Sequence, residues 1–131
     1  MQMIADENRA GLDAITEKII GCAHQVSNTL GSGFLEKVYE NALAIELRKS
    51  GLQVQQQQPI QVFYHKQLVG EFAADLLIEG AVIVELKAVR NLDEAHTAQC
   101  LNYLKATGHN VCLLMNFGQP RVTVKRVVHG F

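Results

Sequence analysis

Apolar residues near the start of the chain recur at three- and four-residue steps: Leu12, Ile15, Ile19, Cys22, Val26 and Leu30. That spacing gathers them on one side of an α-helix, so the pattern predicts an amphipathic helix over about 9–30. Gly31, Ser32 and Gly33 break it. A second helix, about 34–49, ends at Ser50-Gly51, with glycine in the position just past a helix where a left-handed backbone is favoured. Glu36, Tyr39, Glu40 and Leu43 share one side of this helix. The period then shortens to that of a strand. Leu52 to Pro59 opens a sheet, and Pro59 marks a break or an edge position. Ile60 to Tyr64 alternates as a strand, and His65, Lys66 and Gln67 turn it back. Two further strands, about 71–78 and 81–88, are joined by a tight turn at Glu79-Gly80, where glycine supplies the backbone freedom. Asn91 and Glu94 have the spacing of a capping box and open a helix of about 92–107, ended by Gly108. Val111 to Met115 reads as a short buried strand and Asn116 to Pro120 as a loop. Arg121 to Val128 reads as a final edge strand with its basic residues facing outward.

Charge interrupts this pattern at one place. The strand Ala81 to Ala88 is apolar enough for the middle of a sheet, yet it holds Glu85 and Lys87 two residues apart, hence on one face. Burying a charged pair in a core strand is costly unless something compensates. Asp75, on the preceding strand, is likewise set among Ala73, Ala74, Leu76 and Leu77. A hairpin turning at 79–80 brings Asp75 level with residue 84 or 85. Two carboxylates and a lysine then meet. Converging carboxylates form a hard, oxygen-rich site suited to Mg²⁺ or Mn²⁺. An adjacent lysine suits the positioning of a water or the steadying of negative charge in phosphoryl transfer. The plain alternative is a solvent-facing ion pair on an open sheet face.

Composition narrows the class without naming the chemistry. With 131 residues, no internal repeat and 48% hydrophobic content, residues 1–131 read as one globular domain. Met1 to Glu7 has neither the basic start nor the apolar run of a signal peptide, and no stretch approaches a membrane span, so a cytoplasmic protein away from membranes is expected. Cys22, Cys100 and Cys112 are too few and too scattered for a disulfide framework or a zinc site, and read as buried free thiols. Net charge is only −1, but residues 1–83 hold 10 acids against 6 bases and residues 84–131 hold 3 against 6. Lys87, Arg90, Lys105, Arg121, Lys125 and Arg126 make up that basic half. It suits a phosphate backbone, and a solvated mixed-charge surface explains it nearly as well. His24 and His96 read as surface residues. On the third helix Ala95, Gln99 and Tyr103 form a stripe of their own, apart from Leu101 and Leu104.

Asp75…Glu85-Leu86-Lys87 resembles the Asp…(Asp/Glu)-x-Lys signature of the PD-(D/E)XK nuclease superfamily. Upstream, Gly33, Glu36 and Tyr39 fit the Gly-x-x-Glu-x-x-Tyr pattern that names its GxxExxY family. Downstream, Gln99 and Tyr103 fit the Gln-x-x-x-Tyr motif of its RecB-like and phage-exonuclease-like branches. The three matches follow the family's order and span residues 33–103, with Ala74 standing where the signature's proline would be. The resemblance implies an α/β fold with a restriction-endonuclease-like core, a central mixed β-sheet of about five strands flanked by α-helices. It also implies divalent-metal-dependent hydrolysis of phosphodiester bonds in nucleic acid, with DNA the favoured substrate. Asp75, Glu85 and the backbone carbonyl of Leu86 would then bind Mg²⁺ or Mn²⁺, and Lys87 would position the attacking water. Glu36 would adjoin the metal, Gln99 and Tyr103 would hold substrate or ligands, and Arg121, Lys125 and Arg126 would follow the phosphates. The rival expectation is a catalytically silent nuclease-fold module that binds nucleic acid or protein, whose mark would be a broken Asp–Glu–Lys set. Here the set is whole. One domain is small to grip a duplex alone, which leaves room for a homo-oligomer or a protein partner.

Overall fold

The strands with alternating or continuous apolar residues pair into one sheet. A computed structural model describes the backbone of residues 2–131 and the side chains from Arg9 onward. The elements in chain order are α1 (Gln2–Leu30), α2 (Glu36–Lys49), β1 (Val54–Tyr64), β2 (Gln67–Ile78), β3 (Val82–Lys87), α3 (Glu94–Thr107), β4 (Val111–Asn116) and β5 (Thr123–Val128). The five strands lie in the order β1-β2-β3-β4-β5. All neighbours are antiparallel except β3 and β4, which run parallel because α3 carries the chain back between them. The sheet is therefore mixed and flanked by helices, as the sequence implied.

Burial on both faces explains why β3 and β4 are almost continuously apolar. One face, with Leu76, Ile78, Val82, Val84, Leu86, Val111, Leu113 and Met115, receives α1 and α2 through Ile19, Ala23, Val26, Tyr39, Leu43 and Leu47. The other, with Ile83, Cys112, Leu114 and Val127, receives α3 through Cys100, Tyr103 and Leu104. Each fully buried aliphatic side chain contributes roughly 2 kcal/mol of transfer free energy, so most of that stabilisation is gathered at the sheet centre. All three cysteines are free and buried. No described helix is long and apolar enough to cross a membrane.

Several boundaries differ from the sequence expectation, each for a local reason. The helix expected to begin at 9 begins at Gln2. Pro59 does not break β1, because β1 is an edge strand and the missing N–H costs no ladder bond. The turn at His65-Lys66 places both residues in left-handed backbone, as does Glu79-Gly80, the geometry that suits two-residue hairpins. α3 is capped by Asp93 rather than Asn91: its side chain accepts from His96 N–H at 3.2 Å, while Asp93 N–H donates to His96 Nδ1 at 3.1 Å. His96 is thus half-buried and part of a cap. Asn116, expected in a loop, is a buried strand end. On β5 the basic residues are exposed, as expected, but they lie on two different faces. Lys125 donates to Thr97 on α3, and Arg126 points to the opposite face and pairs with Asp13 on α1 at 2.6 Å.

Two clamps fix the ends of the central strands. The Asn116 side chain accepts from Val89 N–H and Gly118 N–H and donates to the Val89 carbonyl, at 2.9–3.1 Å, locking the chain where it leaves β3. A side chain at Gly118 would overlap the Val89 backbone. Tyr39 stacks on Phe117 with ring centroids 4.7 Å apart, and its hydroxyl donates to the Gly31 carbonyl and accepts from Phe34 N–H. Tyr39 therefore ties the turn between α1 and α2 to the end of β4.

Candidate active site

The candidate site lies where two strands part. β2 pairs with β3 only through Ile78↔Val82, Leu77↔Ile83 and Leu76↔Val84, and beyond that point β2 continues with β1 alone. Asp75 is the first residue past the fork. Its Oδ2 accepts the Leu86 N–H at 2.8 Å, so the side chain replaces the backbone partner that the departing strand no longer offers. Its Oδ1 accepts from Gln57 Nε2 at 3.3 Å. Gln57 stands opposite with a left-handed backbone, φ 52°, between the pairs Gln56↔Leu76 and Gln58↔Ala74.

Glu85 completes the fork on the α3 face and is only 3% exposed. Burial, together with a hydrogen bond to Asp75 and that group's charge, pushes its carboxyl up to about 10, against the opposing pull of Lys87. Lys87 is half-buried, and among the described residues it makes no ion pair. Its Nζ donates to Gln99 Oε1 at 3.3 Å. Gln99 also bonds Tyr103, one turn along α3, whose hydroxyl is raised by burial and then by the charges of Glu85 and Asp75. Asp75, Glu85, Lys87, Gln99 and Tyr103 are thus brought together. Beneath them Cys112 is raised by its bond to Cys100 and by burial.

Glu36 does not join them. It opens α2 with its side chain in solvent and, among the described residues, has no hydrogen-bond partner. The helical carboxylate turned toward the fork is Glu40, one turn later and 4% exposed. Glu40 accepts from Gln57 Nε2 at 2.7 Å, Gln56 Nε2 at 2.8 Å and Lys37 Nζ at 3.0 Å. Gln57 thus bridges the carboxylates of Glu40 and Asp75. The one sequence signal for it was the glutamine run on β1, which offers amide donors to a carboxylate. Arg121 is exposed before β5, and only Lys125 of the three basic candidates there is on the α3 face. Among the described residues no group of three or more His, Cys, Asp or Glu is arranged as a complete metal cage. Two adjacent carboxylates, one buried and one half-buried, still suit a hard divalent cation, which commonly takes one or two carboxylates and completes its shell with water and phosphate.

A mixed sheet whose fork holds an Asp, a Glu and a Lys defines a nuclease-fold domain of the Asp…Glu-x-Lys type. Residues 13–127 match the sequence profile of the PD-(D/E)XK nuclease superfamily, and the chain belongs to it. Solved structures show the same fold. A protein designated SSO0001 is 13% identical with a TM-score of 0.58, over 73% of this chain and 51% of that one. An alkaline exonuclease, LHK-Exo, from Laribacter hongkongensis is 14% identical with a TM-score of 0.52, over 72% of this chain and 56% of that one. The chain therefore spans little more than half the length of either. No curated protein sequence matches it.

Proposed function

We propose that this domain is a divalent-metal-dependent nuclease that hydrolyses phosphodiester bonds of nucleic acid, DNA in particular, and that it belongs to the GxxExxY family near the RecB-like and phage-exonuclease-like branches. The observation that carries the reading is the juxtaposition at the fork of half-buried Asp75, anchored on the Leu86 N–H, and buried Glu85, with Lys87 beside them. Asp75 and Glu85, with the Leu86 carbonyl between their strands, would hold Mg²⁺ or Mn²⁺. Such an ion supplies Lewis-acid polarisation of the phosphate and a more acidic bound water. Lys87, held by Gln99, directs its ammonium at the attacking water or the developing phosphoryl charge. Glu40 takes the supporting place the family pattern suggested for Glu36: through Gln57 it fixes the orientation of Asp75. Tyr103 and Gln99 line the approach to the scissile phosphate. The LHK-Exo likeness, named for an exonuclease, agrees with this chemistry.

The test is cleavage of labelled DNA with Mg²⁺ or Mn²⁺ by the wild type, Glu85→Ala and Lys87→Ala. Glu85→Ala should abolish divalent-dependent cleavage with the fold retained. Lys87→Ala should keep the metal response and lose at least ~10²-fold in rate, the usual loss for a positioned catalytic group. Equal rates for all three proteins would leave the silent binding module as the answer.

A further inference from the structure

The hairpin of β1 and β2 runs on past the fork as an arm. Residues 67–75 of β2 have no partner on the β3 side, a length of about 30 Å at strand rise. Packed beside α3, the arm encloses a groove of about 820 Å³, within the range of about 300–1,000 Å³ that holds small organic ligands. Val62, Phe63 and Phe72 form one wall, and Gln99, Asn102 and Tyr103 the other, with Lys105 at the rim. The rings of Phe63 and Phe72 stay 57% and 51% exposed, a costly arrangement for large apolar groups unless something covers them. Phe72 and Tyr103 are tilted with centroids 5.9 Å apart. Gly70 leaves room for this: a Cβ there would lie 3.1 Å from the Phe72 ring. Gln99 both lines the groove and holds Lys87, so the groove opens directly onto the proposed reaction centre.

We propose that this groove takes the unpaired bases of single-stranded nucleic acid and makes single strands the substrate class of the site. The inference rests on the nuclease reading above and narrows it. A base has flat apolar faces for Phe63 and Phe72, polar edges for Gln99 and Asn102, and a charged backbone for Lys105. Aromatic platforms of this kind reward bases that are not already stacked in a duplex. A purely apolar helix from a protein partner would instead leave the amides and Lys105 without partners. Continuity with Lys87 and the basic rim favours a polyanion.

The experiment measures the affinity of a short fluorescein-labelled oligo(dT), and of a duplex of equal length, for the full chain in EDTA, where nothing is cut. Wild type should prefer the single strand. Phe72→Ala and Phe63→Ala, both at exposed positions and checked by melting, should each weaken the single strand at least about fivefold and leave the duplex unchanged. Ile45→Ala, an exposed apolar change on α2, should alter neither. Equal binding of both probes by wild type, or equal losses for both probes, would overturn the proposal. So would a dimer in sedimentation that Phe72→Ala dissociates while oligo(dT) affinity stays constant. Cleavage in Mg²⁺ separates the two levels. Activity lost in Glu85→Gln without any strand preference retains the nuclease and removes the groove's role. Selective binding without cleavage removes the nuclease and retains the single-strand site.

Discussion

Glu85→Gln offers the sharpest test of the carboxyl pair, because it removes a titration at nearly constant shape. In the folded protein Glu85 titrates at about 10, against 4.5 for an unperturbed glutamate. Between those values the folded state keeps a proton that the unfolded chain has released. Glu85 therefore contributes stability that is complete below about pH 4.5 and is lost as pH climbs toward 10. One proton of difference corresponds to about 1.4 kcal/mol per pH unit, so raising pH from 5 to 7 costs the metal-free wild type up to about 3 kcal/mol. That is a large share of the roughly 5–15 kcal/mol that holds a domain together. Glutamine at 85 has no such titration and can donate an amide hydrogen to Asp75 in place of the carboxyl proton.

The assay is a set of thermal melts in EDTA at several pH values between 5 and 9, on wild type and Glu85→Gln. The two melting temperatures should diverge with rising pH, the variant being higher by roughly 10 °C near neutrality for a domain of this size. A divalent cation should narrow the gap by stabilising the wild type about 1.4 kcal/mol at roughly ten times its dissociation constant, and the variant not at all. Parallel melting curves with pH, or a wild type that gains stability as pH rises through this window, would refute the raised Glu85 carboxyl. The same result would remove the carboxyl pair as a divalent-cation site.

Three further outcomes follow from particular contacts. Glu40→Ala should lower the cleavage rate by about tenfold or more, because Gln57 then loses the partner that aims it at Asp75, while Glu36→Ala should cut at the wild-type rate; the reverse order would restore Glu36 to the site. Lys125→Ala should reduce the salt dependence of nucleic-acid binding by a slope of about 0.7–0.9, whereas Arg126→Ala should leave it unchanged, since Arg126 is held by Asp13 on the other face. Gly118→Ala should destabilise by about 1–3 kcal/mol in denaturant melts, because the added carbon overlaps the Val89 backbone, and an unchanged midpoint would contradict that close approach.

Much of this was legible because periodicity reports burial. β3 and β4 are apolar on both faces, the Glu79-Gly80 turn fixed the hairpin register, and that register alone placed Asp75 level with Glu85. What escaped was set by contacts distant in sequence. Glu36 and Glu40 are one turn apart and equivalent in pattern. Only the position of the glutamine run on β1, 16 or 17 residues on, decides that Glu40 is the enclosed one. Lys125 and Arg126 face opposite ways because β5 is a strand with helices on both sides, which a count of basic residues ignores. The cap of α3 moved to Asp93 because His96 supplies the reciprocal bond that a glutamate usually makes. The long arm was hidden for a related reason: Pro59 argues against a continuous strand unless the strand is known to lie at an edge.

The Gly-x-x-Glu-x-x-Tyr residues and the site are also joined in a way that residue spacing does not display. Of the Gly-x-x-Glu-x-x-Tyr residues, Gly33 holds a left-handed backbone, and Tyr39 spends its hydroxyl on the Gly31 carbonyl and Phe34 N–H and its ring on Phe117. Phe117 N–H in turn donates to the Lys87 carbonyl at 2.8 Å, and the neighbouring Asn116 side chain, held by Gly118 N–H, clamps Val89. A chain of contacts therefore runs from the α1–α2 turn through Tyr39 and Phe117 to the backbone of the lysine. Within it, Tyr39 braces the backbone of Lys87 through Phe117, with no contact of its own to the carboxyl pair. Its neighbour Glu40 serves Asp75 from the same helix. One short helix thus reaches both sides of the fork, Tyr39 through Phe117 to the Lys87 carbonyl and Glu40 through Gln57 to Asp75.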